Sequence, residues 1–181
     1  MVKDNKKEES VNLDDMLLAA EADILKSYGK ETLIRGADIQ DGSFIKTGSL
    51  RLDLILGGGI KTGHPIMIYG NFATGKTTVA LHIASQAQKI NRNVYYIDLE
   101  HALDKSLIQT IPELNINQMT IIRPHDAEEA LNGVEKLVRV GKPLYIVVDS
   151  VSALVPKKEL EGDMEDQEMG TQAKLLSKAM R

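Results

Sequence analysis

The spacing of apolar residues changes character along this chain. Over 12–28 they recur as Leu13, Met16, Leu17, Ala20, Ile24 and Leu25, one face of an amphipathic helix. Asn12 is placed to cap that helix and Gly29 to stop it in a left-handed turn. The preceding residues, 1–11, form a polar tail of disordered composition. A short strand-like Leu33-Ile34 follows the helix and leads into a Gly- and Asp-rich linker. From residue 44 the pattern becomes regular. It predicts helix 50–56 ended by Gly57-Gly58-Gly59, strand 65–69, helix 76–90, strand 94–98, helix 103–110, strand 119–123, helix 126–140 and strand 144–149. Helix 76–90 buries Val79, Ala80, Ile83, Ala84 and Ala87. Helix 126–140 buries Ala127, Ala130, Leu131, Val134, Leu137 and Val138, and opens on Asp126 with Glu129 at capping-box spacing. Near-continuous apolar strands alternating with helices predict a parallel α/β sheet covered on both faces. The expected organisation is a tail (1–11), a helical arm and linker (12–43), and an α/β core (44–181).

Composition narrows the chemistry. Aromatics are 4% of 181 residues and Trp is absent, so the core is aliphatic. The net charge of -4 gives no overall pull toward nucleic acid, although a local site can be basic on an acidic protein. With no cysteine there is no disulfide, thiol nucleophile or Cys-ligated zinc, and the four histidines form no H-E-x-x-H pattern. No apolar run reaches membrane-spanning length, and the N-terminus lacks a signal-peptide core. The expected location is cytoplasmic, with no membrane partner.

Gly70-Asn71-Phe72-Ala73-Thr74-Gly75-Lys76-Thr77-Thr78 reads as G-x-x-x-x-G-K-T between a predicted strand and a predicted helix, the context that makes it a phosphate-binding loop. Its backbone N–H groups would cradle a polyphosphate at the positive end of the helix. Lys76 would reach the β and γ phosphates, and the Thr77 hydroxyl would hold magnesium. The alternative is a glycine-rich turn without a ligand. Asp149 ends a buried strand, where ligands bind in parallel sheets, and is the candidate second magnesium ligand. Otherwise it is a strand-end cap. Glu100, just after strand 94–98, is the candidate base for an attacking water, or else a helix N-terminal acid. Residues 157–170 read as a mobile loop with six acidic residues.

Beyond the phosphate loop, three further stretches carry a resemblance. They are Thr47-Gly48-Ser49-Leu50 with Leu52-Asp53, Ile97-Asp98-Leu99-Glu100-His101-Ala102-Leu103-Asp104, and Ile146-Val147-Val148-Asp149-Ser150-Val151-Ser152-Ala153-Leu154-Val155-Pro156-Lys157. With the 161–170 loop they make the chain, from about residue 45 to Arg181, similar to the bacterial RecA recombinase family. The resemblance implies a P-loop NTPase fold, with ATP on Gly70–Thr78 and magnesium on Thr77 and Asp149. Glu100 would activate water and Asp104 would approach the adenine. Met169, Lys174, Ser177 and Arg181 fall where the family touches single-stranded DNA, and 161–170 resembles its first mobile DNA loop. The arm would dock on the next subunit of a helical filament. The implied activity is ATP-dependent pairing and strand exchange between single-stranded and duplex DNA, with stimulated self-cleavage of a LexA-type repressor. Another ATPase of the same fold, such as a helicase or a clock-type ATPase, is a competing reading, and the combination of Glu100-His101-Ala102-Leu103-Asp104 with the 157–170 loop argues against it.

The chain departs from the family at Phe72, usually Glu, and at Leu107, usually an aromatic on the adenine. The family also continues past Arg181 with a second DNA loop, a γ-phosphate-sensing strand and a C-terminal domain. That strand is expected between strand 65–69 and strand 144–149. Without it, buried backbone groups on both would lack partners, at about 1–3 kcal/mol each. These 181 residues are therefore expected to behave as a fragment with an incomplete sheet. The alternative function is a non-catalytic remnant that binds nucleotide or caps filaments.

Overall fold

The computed structural model describes residues 13–38, 42–157 and 170–180. The 1–11 tail, the Asn12 cap and most of the 157–170 loop lie outside the described residues. The chain divides into two compact units, 1–41 and 42–181. In the first, α1 (Leu13–Tyr28) has Asp14 and Asp15 in its first turn and Lys26 in its last, which suits the helix dipole. Gly29, at φ +96°, ends it. None of its residues is buried, and Leu13, Met16, Leu17 and Leu18 stay more than half exposed. The strand expected at Leu33-Ile34 is not formed; a 3-10 turn at Gly36–Asp38 follows instead.

The second unit opens with a two-stranded antiparallel ribbon that the apolar pattern did not reveal. Its strands are β1 (Phe44–Ile45) and β2 (Ile60–Lys61), with α2 (Leu50–Ile55) between them. Ser49 caps α2. Asp53 turns back to accept hydrogen bonds from Thr47 N and Thr47 Oγ1, both at 2.8 Å, and all three groups are buried. Gly59 is required in this ribbon: a Cβ there would lie 2.3 Å from the Ile45 carbonyl oxygen.

The core then follows the predicted alternation closely. It runs α3 (Lys76–Lys89), β3 (Asn93–Asp98), α4 (Lys105–Thr110), β4 (Met119–Ile122), α5 (Ala127–Arg139) and β5 (Leu144–Asp149). After residue 170 lies α6 (Thr171–Ala179). The sheet is parallel with order β4-β3-β5. Because side chains alternate across a strand, Val94, Tyr96, Tyr145 and Val147 pack on one face with α3 and α4, through Ala80, Leu81, Ile83, Ala84, Ala87 and Ile108. Ile97, Ile146 and Val148 pack on the other face with α5 and α6, through Ala127, Ala130, Leu131, Leu175 and Leu176. The α5 cap is a complete capping box: Asp126 Oδ1 accepts from Glu129 N, and Glu129 Oε2 accepts from His125 N. Val138 was expected on the buried face of α5 but is 61% exposed, in the last turn of the helix. Among the described residues no helix is long and apolar enough to cross a membrane.

The largest departure is at 65–69. This apolar segment forms no strand and enters neither sheet. Met67 is 68% and Tyr69 87% exposed. A strand needs a ladder partner, and among the described residues β5 pairs with β3 alone. The phosphate loop is thus fed by an apolar segment without a neighbour in the sheet.

The Asp53 contacts generate a prediction. Its hydrogen bond from the Thr47 backbone holds the carboxyl below its ordinary value of 3.8. The carboxylate therefore contributes stability above that pH, and the contribution is lost as pH falls through the lower folded value. In urea unfolding, Asp53→Asn should lower the midpoint at neutral pH. The gap from the parent chain should close as pH falls below 3.8.

Candidate functional site

The site is built where α3 begins and where β3 and β5 end. Gly75 is the residue before α3, at φ +86°, a backbone angle that strains any side chain. The first turn of α3 carries no acidic residue, so its unpaired N–H groups and Lys76 make this end positive. Within the loop, the Asn71 carbonyl accepts from Thr74 Oγ1 at 2.9 Å and from Lys76 Nζ at 2.8 Å. The cation of Lys76 thereby sits over the loop. Phe72 is 98% exposed at the loop tip and packs on nothing that shapes the cradle.

Thr77 reaches the sheet: its Oγ1 donates to Asp149 Oδ2 at 2.7 Å. This bond joins the loop helix to the carboxyl end of β5. Asp149 lies beside Asp98 in the strand register. Two carboxylates so placed repel, and Asp98 is compensated from its other side. Its oxygens accept from Ala102 N at 3.1 Å, Leu103 N at 3.4 Å and Arg123 Nε at 3.2 Å. The 98–103 turn that carries Glu100 is thus folded around a buried acid. Glu100 Oε1 in turn accepts from Ser150 Oγ at 2.5 Å, and Leu99 N donates to the Asp149 carbonyl at 2.8 Å. The segments leaving β3 and β5 are zipped together, with Glu100 held next to Asp149 in the chain path.

Asp104 caps α4, accepting from Ser106 N at 3.0 Å and Ser106 Oγ at 2.7 Å. Those bonds hold its carboxyl below the ordinary Asp range. Lys174 and Ser177 stand three residues apart on the exposed side of α6, while Leu175 and Leu176 pack inward. Gln172 ties that helix to the Val151 carbonyl beyond β5. Met169 and Arg181 lie outside the described residues.

Sequence reasoning passed over Asp98, Ser150 and Tyr96. Tyr96 was read only as a strand former, yet its Oη donates to Asp149 Oδ2 at 2.5 Å. Burial and that hydrogen bond push its hydroxyl far above the usual tyrosine range, so it stays a donor. The signal was in the alternation: Tyr96 and Asp98 share parity with Asp149 across the register.

The donor chemistry fits a magnesium nucleotide. Thr77 Oγ1 and Asp149 supply hard oxygens beside a positive helix end. Among the described residues no group of three or more Asp, Glu or His side chains could hold a metal by itself. Magnesium is commonly held by one or two protein oxygens together with phosphate.

Comparison with known proteins places this arrangement in a lineage. Residues 15–181 match the family described as RecA N-terminal domain. The chain is 47% identical to Protein RecA of Delftia acidovorans, over 91% of its own length and 46% of that protein's. Against Protein RecA of Geobacter sulfurreducens it is 46% identical over 87% of its length and 48% of the relative's. For Protein RecA of Chlorobium chlorochromatii the figures are 44%, 96% and 50%. The chain spans about half the length of the curated relatives it matches. A helix-capped glycine loop bonded to a strand-end aspartate, within a match from residue 15 to 181, makes this chain a member of the RecA family, with the P-loop NTPase fold that membership implies.

Proposed function

We propose that this chain is the nucleotide-binding part of a cytoplasmic RecA-type DNA recombinase. The observation that carries the proposal is the Thr77–Asp149 hydrogen bond at the mouth of the glycine loop. ATP lies with its phosphates along Gly70, Asn71, Phe72, Ala73, Thr74, Gly75, Lys76, Thr77 and Thr78, met by backbone N–H groups at the start of α3. Lys76 exchanges its bond to the Asn71 carbonyl for the phosphate oxygens. When bound, magnesium neutralises charge on the β and γ phosphates. Thr77 and Asp149 are the residues that hold it. Glu100, oriented by Ser150, accepts the proton of a water aimed at the γ phosphate. Asp104 meets the adenine edge.

Single-stranded DNA is gripped by Lys174, Ser177, Met169 and Arg181 and paired with homologous duplex. The arm, 12–43, links copies into a filament, and that filament stimulates cleavage of a LexA-type repressor. One observation favours a second, narrower reading, nucleotide binding or filament capping without strand exchange: the unpaired, exposed 65–69 segment beside the loop. Strand exchange by the 181-residue chain in an agarose-gel assay would reject the narrower reading, and its absence alongside tight nucleotide binding would support it.

Lys76→Ala should weaken binding of a fluorescent ATP analogue by about 10–100-fold, the loss expected for charge-assisted bonds worth about 1.5–3 kcal/mol. Unchanged affinity would reject the phosphate cradle. Lys174→Ala should weaken single-stranded DNA binding in fluorescence anisotropy and reduce the salt slope by about one unit, as for one lost phosphate contact. An unchanged slope would remove Lys174 from the DNA surface.

A further inference from the structure

The ring of Tyr96 lies on the α3 side of the sheet, packed among Ala80, Leu81, Leu103, Ile108 and Val147, and is 1% exposed. Its register partner on β5 is Val147, two residues before Asp149 on the same face. Asp149 is thus a diagonal neighbour of Tyr96, within reach of a side chain as long as tyrosine. The hydroxyl meets Asp149 Oδ2 at 2.5 Å, and Thr77 Oγ1 meets the same oxygen at 2.7 Å.

The geometry has a chemical consequence. The last torsion of an aspartate is broad, so one hydrogen bond leaves the carboxylate free to swing. Here two hydroxyls approach Oδ2 from two separate elements, α3 and β3. A carboxylate oxygen offers two lone pairs, and both on Oδ2 are engaged. A cation or its water is then met by Oδ1. The packed ring of Tyr96 fixes the second donor, because it cannot rotate without displacing the α3 and α4 side chains.

We propose that Tyr96 is a positioning residue for the metal-binding carboxylate: it sets the orientation of Asp149, and thereby the magnesium dependence of nucleotide binding. The inference rests on the magnesium-nucleotide reading of the site and adds to it a residue outside the loop. Tyr96 acts through Asp149 and touches no nucleotide. Partners that orient a metal-ligating group commonly contribute about 10–100-fold to metal affinity.

The test is Tyr96→Phe, which keeps the ring and removes the hydroxyl. Affinity for a fluorescent ATP analogue is measured in excess magnesium and again in EDTA. Tyr145→Phe is the control, since it removes another tyrosine hydroxyl on the same sheet face, half-buried and donating to the Ala80 carbonyl at 3.1 Å. The expected result is about a tenfold loss for Tyr96→Phe in magnesium only, with the EDTA affinity unchanged. The Tyr145→Phe ratio should match the parent's. An equal loss in both conditions would show a structural role and overturn the inference, as would a ratio like the parent's. If the parent chain itself binds no better with magnesium than without, the magnesium reading falls and the inference falls with it. The parent measurement thus separates the two failures.

Discussion

One hydrogen bond, from Thr77 to Asp149, holds the proposed site together. It spans 72 residues and connects the helix behind the glycine loop to the end of the middle-to-edge strand pair. Everything nearby serves it. Helix α3 must lie flat on the sheet for Thr77 to reach β5, and the small residues Ala80, Ala84 and Ala87 let it approach closely. β3 and β5 must end in register for Asp98 and Asp149 to sit side by side. A slip of one residue between the two strands would turn one of these carboxylates to the α5 face, into the apolar contacts of Ile97 and Val148.

The price of this arrangement is two carboxylates at adjacent strand ends. The structure relieves it asymmetrically. Asp98 is almost fully buried and receives two backbone N–H groups and Arg123. It is a structural acid, and its work is to fold the turn that presents Glu100. Among the described residues, the Asp149 side chain accepts hydrogen bonds from two hydroxyls, those of Thr77 and Tyr96, which are neutral donors. A carboxylate held by neutral donors presents hard oxygens to a cation. The same strand-end position thus yields two different acids, distinguished by their neighbours.

How much of this was legible in the sequence varies with the range of the interaction. The helices of the core could be read because each buried stripe repeats locally, and the Asp126–Glu129 cap because its partners are three residues apart. Gly70–Thr78, Asp149 and Glu100 could be singled out as candidates because their residue types follow from phosphate and metal chemistry. The roles of Tyr96, Asp98 and Ser150 were not legible, since each depends on strand register between distant segments. The ribbon of β1 and β2 was missed because two-residue strands carry no period. At 65–69 the apolar pattern was strand-like, but a pattern supplies only a face; the ladder must come from a neighbouring strand, and none adjoins it among the described residues.

In the proposed function, Thr77 and Asp149 act as one unit in holding a magnesium nucleotide. A double-mutant cycle with Thr77→Val, Asp149→Asn and the pair, read as nucleotide affinity in excess magnesium, tests it most directly. Coupled action predicts that the double variant loses little beyond either single one, with an interaction energy of about 0.5–3 kcal/mol. Strictly additive losses, or affinity untouched by either substitution, would contradict it.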